Sequence, residues 1–161
     1  MERREVLRHC GVKGKTILDV GAGPLASIAA RDFGCTVISI DIDRSSLLKE
    51  LGNFRSWEPF ERVHFEQADA SALPHPDASV DVVISYGALH HCPTHLREGF
   101  LRECFRVAKE CLCIVEYRPT TFPHGDDLER VNLEWLRSRL VDMGTLQIFG
   151  GEEMDIYSCI K

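Results

Sequence analysis

The sequence predicts an α/β fold: a doubly wound, seven-stranded, mostly parallel sheet that ends in an antiparallel C-terminal hairpin. Three observations carry that prediction. Short apolar runs alternate with segments of helical period, the pattern of parallel strands joined by crossover helices. The last two apolar runs, Leu146–Phe149 and Ile156–Cys159, are separated by Gly150-Gly151 and too few residues for a crossover, so they pair as a hairpin. The chain is 161 residues and 18.2 kDa, enough for one domain whose core needs no staples. No repeat, low-complexity tract or linker divides it, so residues 1–161 read as a single domain, with residues 1–15 as a short N-terminal helical segment.

Each element follows from local signals. A short helix spans Arg3 to His9. Thr16–Val20 is the first strand, and it runs into Gly21-Ala22-Gly23-Pro24. Pro24 suits a first helical turn, where its missing N–H costs nothing. A helix then covers Leu25 to Phe33, and Gly34 stops it. Cys35–Ile40 is the second strand, with Asp41 at its carboxyl end. Asp43 caps the next helix, where Leu47, Leu48 and Leu51 recur at helical spacing. Val63–Phe65 is the third strand, ending near Asp69. Pro74 and Pro76 make Ser71–Ala78 a loop. Val80–Ile84 is the fourth strand. Thr94 caps a helix that carries Leu96, Phe100, Leu101, Cys104, Phe105 and Ala108 on one side. Cys111–Tyr117 is the fifth strand, followed by a loop with Pro119, Pro123 and Gly125. A final helix shows Leu128, Val131, Trp135, Leu140 and Met143 on one face, and Gly144 ends it.

Composition narrows the function classes. Hydrophobic residues make up 44% and charged residues 27%, which excludes a largely disordered chain. The net charge of −6, from 19 basic and 25 acidic residues, disfavours gripping nucleic acid unaided, because phosphate binding needs a positive surface. No apolar run approaches the roughly 20 residues needed to span a bilayer. The opening Met-Glu-Arg-Arg-Glu lacks a secretory apolar core. Seven scattered cysteines form no C-x-x-C pair and are odd in number, so free thiols and a reducing, cytoplasmic compartment are expected. Cys111 and Cys113, two apart on a strand, share a face.

Right-handed crossovers place a ligand crevice beyond the carboxyl ends of the strands. Gly21 and Gly23 permit a tight turn and close ligand approach, and the following helix offers unpaired N–H groups. Asp41, about twenty residues past Gly21, is placed to accept hydrogen bonds from two ribose hydroxyls. Together these point to an adenosine-containing ligand. The competing reading is that the glycines make only a turn and Asp41 only caps a helix. Gly21-x-Gly23-x-x-Ala26 also fits the loose NAD-type dinucleotide pattern. Against a dinucleotide stand the lack of a substrate domain, the acid Asp19 just before the loop, and the antiparallel close of the sheet.

In these motifs the chain resembles the class I S-adenosylmethionine-dependent methyltransferases, of the small-molecule type called type 11. The matching residues are Ile17-Leu18-Asp19-Val20-Gly21-Ala22-Gly23, Ser39-Ile40-Asp41-Ile42-Asp43 and Glu66-Gln67-Ala68-Asp69-Ala70. Leu73-Pro74 follows, then Asp77-Ala78-Ser79-Val80-Asp81-Val82-Val83 and Leu89-His90-His91. The resemblance implies a Rossmann-like fold and S-adenosylmethionine as cofactor. It implies that Asp19, Gly21 and Gly23 hold the methionine moiety and that Asp41 takes the ribose hydroxyls, with Ile42 against the adenine. Asp69 would accept from the adenine amino group with Ala70 beside the ring, and Ser85 and Gly87 would line the cofactor near the methyl group. Leu25 stands where the family usually has a third glycine, and is expected to narrow the loop.

The acceptor is less legible. Methyl transfer from a sulfonium is an in-line displacement, so a general base is needed only when the acceptor must lose a proton. Tyr86, His90, His91 and His95 follow the fourth strand, and Glu116 and Tyr117 end the fifth, all at the ligand edge. His90, Tyr86 and Glu116 are the candidate catalytic residues; His91 reads rather as a turn residue. Glu116 could orient an amine or pair with Arg118. The spacing of His90, His91, Cys92 and His95 matches no structural zinc pattern, so no metal is expected. Neither an Asn/Asp-Pro-Pro-Tyr nor a Pro-Cys follows the fourth strand, which argues against base amino methylation by that route and against a covalent cysteine mechanism. The short N-terminal segment and connections leave the acceptor side open. A homodimer partner, another protein or a large substrate is expected to cover it, so both small-molecule and macromolecular acceptors fit. The alternative is a non-catalytic binding module built on the same fold.

Overall fold

Runs rich in β-branched residues become strands, and segments of helical period become the helices between them. The computed structural model describes residues 1–53, 60–123 and 130–161. The strands are Thr16–Val20 (β1), Thr36–Asp41 (β2), Val63–Gln67 (β3), Val80–Tyr86 (β4), Ala108–Tyr117 (β5), Thr145–Gly150 (β6) and Met154–Ile160 (β7). The helices are Arg3–His9 (α1), Leu25–Phe33 (α2), Arg44–Asn53 (α3), Arg97–Val107 (α4) and Leu133–Met143 (α5). One seven-stranded sheet has the order β3-β2-β1-β4-β5-β7-β6. Strands β1 to β5 are parallel, and β7 pairs antiparallel with both β5 and β6. The expected doubly wound sheet with a C-terminal hairpin is therefore present, and the last strand inserts inside the sheet. Strand order reverses between β1 and β4, which makes a crevice at their carboxyl ends.

Both faces of the sheet are covered, as parallel strands require. Ile17, Val82, Ile84, Cys111 and Cys113 face one apolar layer with Val6 and Leu7 of α1 and Ala26, Ala29 and Ala30 of α2. Leu18, Val20, Val83, Leu112 and Ile114 face the other, with Leu101 and Cys104 of α4 and Leu136 and Leu140 of α5. Adjacent residues of one strand thus serve opposite layers, the consequence of a two-residue side-chain period. Each fully buried leucine, such as Leu101 or Leu136, contributes about 1.5–3 kcal/mol by leaving water.

Several boundaries differ from expectation, each for a physical reason. Strand β5 begins at Ala108, directly after α4, where the sequence places the strand at Cys111 and Ala108 on the helix. A register shift opposite Val80 and Val82 inserts an extra residue there, and the exposed Lys109-Glu110 hides the extension. Thr94 does not cap α4: it begins a 3₁₀ turn, Thr94–Leu96, and the helix starts at Arg97. Helix α5 starts at Leu133, where Asn132 Oδ1 accepts from the amides of Glu134 (3.0 Å) and Trp135 (3.1 Å). Leu128 and Gly125 lie outside the described residues. In α3 only Leu47 is buried, while Leu48 is 56% exposed. Gly144 ends α5 in extended geometry, and a Cβ there would run into the Ile160 carbonyl oxygen.

Candidate functional site

The crevice at the strand carboxyl ends holds a cavity of about 550 Å³, within the usual range for small-ligand sites. Gly21 opens it. This residue has φ +95°, and a Cβ would lie 2.8 Å from the Ala88 Cβ, so a side chain is excluded both by backbone and by contact. Its amide donates to the Ile40 carbonyl at 2.9 Å, tying the loop to the end of β2. Gly23 does not line the cavity; it has no positive φ, and a Cβ there would come no closer than 4.0 Å to protein.

Asp41, the last residue of β2, lines the cavity. Its Oδ2 accepts from the Ala22 amide at 2.9 Å and its Oδ1 from the Asp43 amide at 2.8 Å. The carboxylate is therefore held rigidly, with acceptor capacity left on both oxygens. Asp43, in turn, accepts from the Ser45 hydroxyl (2.5 Å) and amide (2.9 Å) and caps α3 as expected; these bonds hold its carboxyl below the usual range. Ile42 lines the cavity and is 67% exposed, a large apolar side chain left bare beside an acid. Across from it, Asp69 Oδ1 accepts from the Ser71 amide (2.8 Å) and hydroxyl (2.7 Å). Among the described residues no hydrogen bond engages its Oδ2. Ala70 completes this wall, and Cys92 faces it. Burial raises the Cys92 thiol, and the Asp69 charge adds to the rise.

Asp19 is placed differently from expectation. It is 1% exposed and lies beneath the loop, outside the cavity lining. Oδ2 accepts from Ser39 Oγ at 3.0 Å, while Oδ1 is buried without a partner. Burial pushes its carboxyl up to about 8, with the Ser39 bond and the charge of Arg3 pulling the other way. Ser85 is likewise buried in β4, with an unpartnered hydroxyl, and does not reach the cavity. Gly87, at φ +61°, does line it. Leu25 does not narrow the site: it is 2% exposed and turns into the layer beneath α2.

Of the three catalytic candidates only Tyr86 lines the cavity, and its hydroxyl donates to the Met1 carbonyl. His90 and Glu116 are each 1% exposed and pair behind the wall, Nδ1 to Oε2 at 3.0 Å. The His90 amide also donates to Glu116 Oε1 at 3.3 Å. A Cβ on Gly87 would stand 3.8 Å from His90 Cε1, so this pair backs the cavity rather than facing it. The imidazole that does line the cavity is His91, exposed and tilted at 40° against the His90 ring, 4.2 Å between centroids. In the 3₁₀ turn Leu89–His91 one histidine points in and its neighbour points out, and sequence carries no signal for which. Glu116 does not pair with Arg118, whose guanidinium is 2.8 Å from Asp155. Arg97 braces the segment that bears His90 and Cys92. It is 4% exposed and donates to the carbonyls of Cys92 (3.0 Å), Arg130 (3.2 Å) and His90 (3.3 Å). Among the described residues no three His, Cys, Asp or Glu side chains converge as a metal set, and no helix is long and apolar enough to cross a membrane.

Residues 17–111 match the model of a family described as the methyltransferase domain. A Mycobacterium tuberculosis protein named as a probable S-adenosylmethionine-dependent methyltransferase is 31% identical over 148 residues, 83% of this chain and 50% of that protein. The 27-O-demethylrifamycin SV methyltransferase of Amycolatopsis mediterranei is 40% identical over 102 residues, 60% of this chain and 35% of the relative. The chain thus spans half or less of these curated relatives. Among solved structures, the magnesium protoporphyrin IX methyltransferase of Synechocystis PCC 6803 with bound S-adenosylhomocysteine superposes with a TM-score of 0.75. The match has 18% identity and covers 99% of this chain and 83% of that one, a likeness of fold.

Proposed function

Since the chain belongs to the methyltransferase-domain family, we propose that its cavity binds S-adenosylmethionine and that the protein transfers the methyl group to an acceptor by in-line displacement. One observation carries this reading. Asp41 and Asp69 share a cavity of about 550 Å³ at the switch in strand order, and the exposed Ile42 lines it with them. The donor set fits the cofactor. Asp41 retains acceptor sites for two ribose hydroxyls, Asp69 Oδ2 is open to an adenine amino group, and Ile42 and Ala70 offer apolar surface to the ring. Gly21 and Gly87 leave room for the chain that carries the sulfur.

The cofactor, when bound, supplies a sulfonium methyl group that is already activated for nucleophilic attack. The protein's own task is to align the acceptor and to exclude water. The rigid hydrogen bonds of Asp41 hold one end of the site in place. His91 Nδ1 or Nε2 takes a proton from an acceptor that must lose one. The buried His90–Glu116 pair supports the His91 ring from behind. Tyr86, committed to the Met1 carbonyl, shapes the wall and is not the base. The acceptor is a small molecule or a macromolecule.

The test has two steps. Calorimetry with S-adenosylhomocysteine should show one binding site per chain. A screen with methyl-labelled cofactor against candidate small molecules and proteins should then show transfer that His91→Ala slows more than it weakens cofactor binding. Absence of binding to either cofactor form contradicts the assignment.

A further inference from the structure

Strand β6 forms one edge of the sheet, and its sequence does nothing to defend that edge. Among the described residues its only strand neighbour is β7, so its outer side presents a row of backbone N–H and C=O groups. Natural edge strands are blunted by charged residues, proline or a bulge. The opposite edge, β3, follows that rule with His64 and Glu66. Strand β6, Thr145-Leu146-Gln147-Ile148-Phe149-Gly150, has no charged residue and no proline, and it pairs with β7 without a register shift. Thr145, Gln147, Ile148 and Gly150 are exposed, Ile148 by 43%. Helix α5, which packs on this strand, adds the exposed Val141.

The strand is complementary to a reversed copy of itself. Leu146 belongs to the apolar layer under α5, and Phe149 to the layer under α1. Leu146, Ile148 and Gly150 therefore share one face, and Thr145, Gln147 and Phe149 the other. Directly opposed residues of an antiparallel pair point to the same face. Two copies related by a twofold axis normal to the sheet must thus pair about a residue, not between two. Centred on Gln147, Ile148 of each copy meets Leu146 of the other, and Phe149 meets the β-branched Thr145. Apolar and aromatic–β-branched pairs of this kind stabilise a sheet, and no like charges are opposed. Centred on Ile148, Leu146 would instead face Gly150, which offers no side chain.

We propose that β6 pairs antiparallel with β6 of a second copy, centred on Gln147, so that one sheet runs through a twofold-symmetric dimer. The net charge of −6 opposes most approaches of two copies, and an uncharged seam is where that repulsion is least. The same surface serves both partners, as closed twofold symmetry requires. The axis also reverses strand direction, so the two cavities open at opposite ends of the dimer and neither copy covers the other's. The proposal is independent of the cofactor reading.

Analytical ultracentrifugation of the full chain tests it. Over roughly 1–100 μM the protein should shift toward a species of twice 18.2 kDa. Ile148→Lys, which sets two like charges beside the axis, should weaken association at least about tenfold and leave the far-UV circular dichroism unchanged. Ile148→Val, which keeps a branched apolar side chain, should stay within about threefold of the parent. Gln147→Cys lies on the axis and should form a covalent dimer under oxidised glutathione. Ile148→Cys, whose two copies are offset along the seam, should not exceed the parent in this assay. A monomer at every concentration overturns the proposal, whether or not a strand of another protein takes the edge. A dimer indifferent to Ile148→Lys overturns it too, since the copies then meet elsewhere, and equal cross-linking of the two cysteine variants overturns the pairing about Gln147.

Discussion

Asp41 and Asp19 show how two aspartates of similar sequence setting acquire opposite roles. Asp41 ends its strand, stays in contact with the cavity and is fixed by two amides, at 2.9 and 2.8 Å. Asp41→Ala should weaken S-adenosylhomocysteine binding by about 1–3 kcal/mol, as expected for a charged acceptor lost from a formed site. Unchanged affinity by calorimetry would remove Asp41 from the ribose. Asp19 lies inside its strand and is pushed from 3.8 up to about 8, mainly by burial. The folded chain therefore holds a proton here that the unfolded chain releases. This contribution to stability is complete below about pH 4 and is lost as pH rises through 8. Asp19→Asn removes the titration, so its stability advantage over the parent should widen from pH 4 to pH 9. Urea midpoints at the two pH values measure this, and a constant difference contradicts it.

At the scale of elements, the site depends on the turns between β4 and α4 as much as on the strands. The 3₁₀ turn Leu89–His91 carries His91 into the cavity and His90 behind it, and the 3₁₀ turn Thr94–Leu96 adds Leu96 to the lining. Arg97, at the start of α4, ties this segment to the chain at Arg130 through three carbonyls. Arg97→Met keeps the apolar stem and removes the donors. It should cost about 2–3 kcal/mol, since buried carbonyls lose charged partners. It should also lower cofactor affinity, because Cys92 lines the cavity. Chemical denaturation and calorimetry on one preparation check both effects. A stability loss below about 0.5 kcal/mol would show that the turns hold themselves. The motif Leu89-His90-His91 made a turn of histidines legible, but a tight turn rotates consecutive side chains apart. Which imidazole reaches the cavity therefore depends on the burial of Glu116, a residue on another strand.

For the whole molecule, a ligand that bridges β1, β2, the segment after β3 and β4 should stabilise the sheet as a unit. At 100 times its dissociation constant, S-adenosylhomocysteine should add about 2.7 kcal/mol. For a chain of this size that raises the melting temperature by about 5–10 °C. Adenosine, which lacks the amino-acid end, should give a smaller shift at the same concentration. Equal shifts would mean that the Gly21–Gly87 end contributes nothing.

The sequence by itself determined the element order, the parallel sheet with its terminal hairpin, and the acids and glycines at the strand ends. These depend on short-range facts: side-chain period, turn residues and the position of an acid relative to a strand end. Legible by the same means were α2, with its bounds at Leu25 and Phe33, and the shared face of Cys111 and Cys113. Only the tertiary structure decided which candidates meet. It turned Leu25 into the core, sealed Asp19 and Ser85 beneath the loop, paired His90 with Glu116 out of reach, and set Arg3 against Tyr86. Each of these is a contact between residues far apart in the chain, and burial by a distant element leaves no mark in the local pattern that reveals a strand or a turn.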